Sequence, residues 1–88
     1  MMFGMFTWNW DVEAVNDMIP EKIAEYVNDN TKVECVVYPC DGFYWLNFKW
    51  VGDERDCNID SDEDEINLII EAGNACGYEY GKDYRIRS

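Results

Sequence analysis

Residues 31–51 read TKVECVVYPCDGFYWLNFKWV, and this stretch decides the fold. Asp41-Gly42 lies between two runs rich in β-branched and aromatic residues, which is the composition of a hairpin closed by a two-residue type I′ turn. A loop of that length fixes the pairing: Cys40 faces Phe43, Val37 faces Leu46, Cys35 faces Phe48 and Val33 faces Trp50. The last three pairs, with Pro39 opposite Tyr44, build one apolar face. The other face sets Glu34 against Lys49, Val36 against Asn47 and Tyr38 against Trp45. Opposite charges therefore fall across from each other, as a stable register requires.

Before the hairpin, residues 2–8 are apolar and aromatic and predict a short strand. Asn9 or Asp11 suits a helix N-cap. From Val12 the residues Val12, Val15, Ile19, Ile23 and Tyr26 recur at three- and four-residue steps, the period of one helix face. Pro20 either kinks this helix or opens a second one, and Asn28, Asp29 and Asn30 end it.

After the hairpin, Val51 to Glu54 reads as a turn, and Arg55 to Ile59 as a short extra strand with Cys57 and Ile59 inward. Ser61 caps a second helix, with Asp64 three residues on completing a capping-box pattern. Ile66, Ile69, Ile70 and Gly73 form its core face, and Gly77 stops it. Leu68, Ala72 and Ala75 remain as a spare apolar strip, suited to self-association. The last segment places Tyr78, Tyr80, Tyr84 and Ile86 on one side of a final strand.

The order β-α-β-β-(β)-α-β predicts a single domain, residues 1–88, of the α+β class. It is a small two-layer sandwich with an antiparallel sheet and two helices on one face. Without the extra strand the order is ferredoxin-like.

Charge dominates the composition. Nineteen acids stand against seven bases, for a net charge of -12, in a chain that is nonetheless 48% hydrophobic and able to build a core. Such a surplus repels nucleic acid and anionic membranes and draws the chain to basic surfaces. No secretory or membrane-spanning pattern is read, so the expectation is a cytoplasmic protein whose cysteines stay reduced.

Catalysis has poor raw material. The chain has no histidine, and Ser61 already serves as a cap, so a nucleophile-base pair of the Ser-His or Cys-His kind cannot be assembled. The expectation is a non-enzyme without a cofactor. The spacing of Cys35, Cys40, Cys57 and Cys76 is not that of a structural zinc site. The run Asp56 to Asn67 resembles a calcium loop but places Ser61 where glycine belongs and Asn67 where the bidentate glutamate belongs. No metal site is assigned.

The arrangement of the acids is more informative. Glu13, Asp17, Glu21, Glu25 and Asp29 recur every four residues, a stripe opposite the expected core face of the first helix. A second cluster holds Asp53, Glu54, Asp56, Asp60, Asp62, Glu63, Asp64 and Glu65, relieved only by Arg55. Tyr38, Trp45 and Phe43 point away from the helices and offer aromatic anchors for a partner.

In size, acidity and element order the chain resembles, as a type, small phage-encoded anti-CRISPR and anti-restriction proteins, some of which mimic DNA, and bacterial immunity proteins that cap nuclease toxins. No motif specific to either group is present, and no residue role is carried over. The expected function is inhibition of a host defence complex through its basic nucleic-acid-binding surface. The expected partner is that surface, without direct contact to nucleic acid or membrane, and the expected state is a monomer or homodimer. The alternatives are an immunity protein or antitoxin for a cationic nuclease, and a divalent-cation-binding or assembly module.

Overall fold

The hairpin forms as expected, residue for residue. In the computed structural model, which describes residues 6–87, β2 (Val33–Cys40) and β3 (Phe43–Trp50) pair from Val33↔Trp50 to Cys40↔Phe43. Val33, Cys35, Leu46, Phe48 and Trp50 are buried on one side. The turn differs in type. Only Gly42 is left-handed, at φ 84°, and no other residue than glycine has positive φ among the described residues. Type I′ needs positive φ at both central positions, so this turn follows the sign pattern of type II. Its length is unchanged, and so is the register.

Around the hairpin lie β1 (Thr7–Ala14), α1 (Met18–Asn30), α2 (Asp62–Ala75) and β4 (Tyr84–Ile86). The sheet order is β2-β3-β1-β4, and all three ladders are antiparallel. Each βαβ crossover thus skips one strand, which is the split, ferredoxin-like arrangement.

Five expectations need correction. The strand predicted at residues 2–8 instead runs over Thr7–Ala14, with residues 2–5 outside the described part. TWNWDVEA alternates strictly, and Trp8, Trp10 and Val12 lie inward opposite Phe48, Leu46 and Tyr44. Val12 is therefore a fully buried strand residue, and Val15 is exposed. The first helix begins only at Met18, with Asp17 at its N-cap, not Asn9 or Asp11. Pro20 is the third residue of α1, where its missing N–H costs no intrahelical bond.

The extra strand over 55–59 does not form. Asp53 accepts a hydrogen bond from the Arg55 backbone N–H and starts a 3-10 turn, Glu54–Asp56. Cys57 and Ile59 still pack against the core, so the alternation was a burial pattern without a ladder partner. The last strand shrinks to Tyr84–Ile86 because Gly81, at φ 89°, turns the chain just before it.

Ile19, Ile23, Ala24 and Val27 of α1 cover the inner sheet face. Each large aliphatic buried there contributes about 1.5–3 kcal/mol against the entropy of ordering the chain. On α2, Ser61 accepts from the Asp64 N–H as a cap should. A Schellman pair closes the other end, from Tyr78 N to Gly73 O and from Gly77 N to Asn74 O, with Gly77 at φ 88°.

The core face of α2 is turned from the expected one. Ile69, Ala72 and Gly73 are buried and Leu68 packs on the core, while Ile66 and Ile70 are only half-buried. Leu68 and Ala72 are thus not a spare strip. The turn brings Glu65 toward the sheet and lays Gly73 on the ring of Tyr84.

Candidate functional site

The register defines two ends of the molecule. At one end, Trp50 N–H bonds Phe6 O and Val51 N–H bonds Lys32 O, so β1 and β2 begin where β3 ends. The last turn of α1 and the first turn of α2 meet there, across a groove of about 280 Å³ lined by Thr31, Asn58, Ile59, Asp64, Asn67 and Leu68, among others. Asp29 and the whole 53–65 cluster gather at this acidic pole. Glu13, Asp17 and Glu21 lie toward the opposite end.

Not all carboxylates at the pole are free. Asp53 pairs with Arg55 at 3.0 Å, and that guanidinium holds its carboxyl below the usual range. Asp64 accepts from the Asp60 N–H, which lowers it likewise. Glu65 accepts the Trp10 indole N–H at 3.0 Å. Partial burial raises the Glu65 carboxyl above the ordinary glutamate range, a shift that this hydrogen bond opposes. Glu54, Asp56, Asp60, Asp62 and Glu63 have neither a cation nor a hydrogen-bond donor on their carboxylates among the described residues. All five are exposed.

Local structure explains why the fold tolerates them. Asp62 and Glu63 occupy the first turn of α2, where the helix dipole favours anions. Asp29 is placed the other way, in the last turn of α1, which carries no base.

The stripe expected on the first helix is broken. Glu13 belongs to β1, where it pairs with Arg85 at 2.8 Å and Arg87 at 3.5 Å. Asp17 accepts a hydrogen bond from the Tyr44 hydroxyl. Glu21, Glu25 and Asp29 remain on α1, with Glu25 3.5 Å from Lys22.

The sheet face away from the helices is the second surface. It carries Glu34, Val36, Tyr38 and Cys40 from β2, and Phe43, Trp45, Asn47 and Lys49 from β3. Thr7, Asn9, Asp11 and Glu13 of β1 follow, and Arg85 and Arg87 complete it. Tyr38 and Trp45 stand side by side, ring centroids 5.1 Å apart, and Arg87 lies 4.6 Å over the Phe43 ring. Tyr38 and Val36 are exposed, while Trp45 and Phe43 are half-buried by these neighbours.

Three bases and three acids share this face, so it is formally neutral. The entire excess of -12 therefore lies elsewhere. The total charge hid this division. Its signal was the alternation of Arg85-Ile86-Arg87, which puts both guanidiniums outward when Ile86 faces in.

Both sheet edges are partly covered. The Asn28 side chain bonds both backbone groups of Cys35, accepting from its N–H at 2.7 Å and donating to its carbonyl at 3.0 Å, as a neighbouring strand would. The Val33 N–H is held by Thr31, and Pro39 has none to offer. On β4, Tyr80 takes the Ile86 N–H and Gly81 donates to the Tyr84 carbonyl. A partner thus meets the faces and ends of this protein before its edges.

Among the described residues no three Cys, Asp or Glu side chains converge on a metal position. The four cysteines are free thiols, and burial pushes that of Cys35 up to about 12. No helix is long and apolar enough to cross a membrane. Compared with known proteins, the chain matches no family model, no curated protein and no solved structure.

Proposed function

We propose that this protein inhibits a host defence complex, of the anti-CRISPR or anti-restriction type, by occupying the basic surface with which that complex holds nucleic acid. The reading rests on the five exposed, unpaired carboxylates at one pole, Glu54, Asp56, Asp60, Asp62 and Glu63. A surface evolved only for solubility gains more from mixed signs than from one. Carboxylates left without cations repel one another and favour a partner that supplies the cations.

The mechanism is competitive. Lys and Arg side chains that otherwise bind phosphates pair with these carboxylates, and long-range attraction speeds the encounter. Arg55 stays with Asp53, and Glu65 stays with Trp10, so neither carboxylate is a principal contact.

Affinity capture from a bacterial lysate at low salt, followed by a salt gradient, tests the reading. A nucleic-acid-binding defence complex should be retained and should elute steeply with salt. Changing the five carboxylates to amides should abolish capture while the chain still melts cooperatively, since relief of repulsion offsets the helix-dipole interaction lost at Asp62 and Glu63. Capture that survives the five changes, or that ignores salt, overturns the reading.

A further inference from the structure

We infer that the open sheet face is a homodimer interface, occupied by the same face of a second copy of this chain. Electrostatics picks out the occupant. A second copy also carries -12, and every approach through the poles or helices brings like charges together. The sheet face alone is neutral, with Lys49, Arg85 and Arg87 balancing Asp11, Glu13 and Glu34.

The face is also self-complementary. A two-fold axis lying across the strands keeps the two acidic poles at opposite ends of the dimer. It sets Val36 of one copy against Tyr38 of the second and Asn47 against Trp45, and it brings Lys49 onto Phe43 and Glu13. Val36 meets the Tyr38 ring, and Lys49 joins the cluster in which Glu13 already holds Arg85 and Arg87. The Asn28 clip on β2 and the Tyr80 and Gly81 contacts on β4 hinder edge pairing, which favours face-to-face packing.

The area sets the strength. Three strands of eight residues and one of three, at about 4.8 Å spacing and about 3.3 Å per residue, give about 430 Å² per copy. The total of about 860 Å² falls short of the roughly 1,000 Å² that a stable specific interface clears, so a weak, rapidly reversible dimer is expected.

Sedimentation of the full chain over roughly 1 µM to 1 mM tests this, together with the concentration dependence of the tryptophan indole N–H signals by NMR. A monomer–dimer equilibrium is expected, with the Trp45 signal shifting and the Trp50 signal, buried on the other face, unmoved. Trp45→Ala should weaken the dimer at least tenfold, and Val36→Asp should abolish it. Added salt should tighten it, by screening the repulsion between the chains. A chain that stays monomeric to about 1 mM overturns the inference. So does a dimer that both substitutions leave unchanged, or a monomer whose Trp45 signal instead responds to a single-stranded oligonucleotide. The NMR reading on the unaltered chain decides the matter even where a variant fails to fold.

Discussion

Replacing Gly73 by alanine sets two effects of opposite sign against each other. In a helix interior, alanine is favoured over glycine by about 1 kcal/mol. Here an ideal Cβ falls 2.7 and 2.8 Å from Cζ and Cε1 of Tyr84, and closer still to its hydroxyl. The ring cannot swing aside cheaply, because Tyr84 is only 3% exposed and anchors β4 under α2. At so short an approach the overpacking cost lies at the upper end of its range, about 3 kcal/mol, and rotating the ring into solvent costs about as much. The clash therefore wins, with a net loss of about 2 kcal/mol. For a domain of this size that lowers Tm by about 8–16 °C.

The control is Tyr84→Leu, which removes the ring. In that background Gly73→Ala has no clash to meet and should stabilise by about 1 kcal/mol. The double-mutant cycle on thermal or urea melts should thus give a coupling of about 3 kcal/mol and a reversal of sign. An alanine at 73 that raises Tm in the parent protein would refute the close approach of α2 to β4, and with it the orientation of α2.

Two further outcomes follow from the edges and the half-buried carboxylate of Glu65. Asn28→Ala removes both bonds to the Cys35 backbone and should cost about 2 kcal/mol. Hydrogen exchange should show lost protection at the Cys35 amide, and prolonged storage should show more aggregation; an unchanged Cys35 amide refutes the edge-clip role. Glu65 has a raised folded pKa, so the folded state holds its proton more tightly than the unfolded one. Stability from this group is complete below the ordinary glutamate pKa and is lost as pH rises through the raised value. Glu65→Gln, which keeps an acceptor for Trp10, should flatten the fall in stability through that window, and an unaltered pH profile of urea midpoints contradicts its partial burial.

The sequence made the hairpin legible because two constraints coincide there. The turn length sets the register, and a one-residue slip would turn Leu46 and Phe48 out of the core. The start of the chain was harder because Val12, Val15 and Ile19 satisfy a helical spacing, while Trp8, Trp10 and Val12 satisfy a strand. The antiparallel partner, Leu46 to Phe48, decides between them, and that contact is non-local. On α2, four isoleucine and glycine positions looked like the inner face. The actual face includes Glu65, which only the distant Trp10 N–H makes tolerable there. The 53–65 cluster was visible because it is contiguous. Its separation from Glu13 and Asp17 was not, since that depends on where β1 ends and α1 begins.

The two surfaces respond to salt in opposite senses, and this makes their roles separable. Binding through the acidic pole to a cationic partner is Coulombic attraction, and salt weakens it. Pairing through the sheet face joins neutral patches on two molecules that repel each other as wholes, so salt strengthens it. Because the poles sit at opposite ends of the inferred dimer, pairing leaves Glu54, Asp56 and Glu63 accessible on both copies. Amide substitutions at the pole should then lower the mutual repulsion and tighten the dimer even as they abolish capture of a basic partner. One set of variants measured across a salt series thus tests both surfaces. If pole neutralisation weakens the dimer, the acidic residues belong to the self-association interface, and the division of charge between pole and sheet face does not divide the functions.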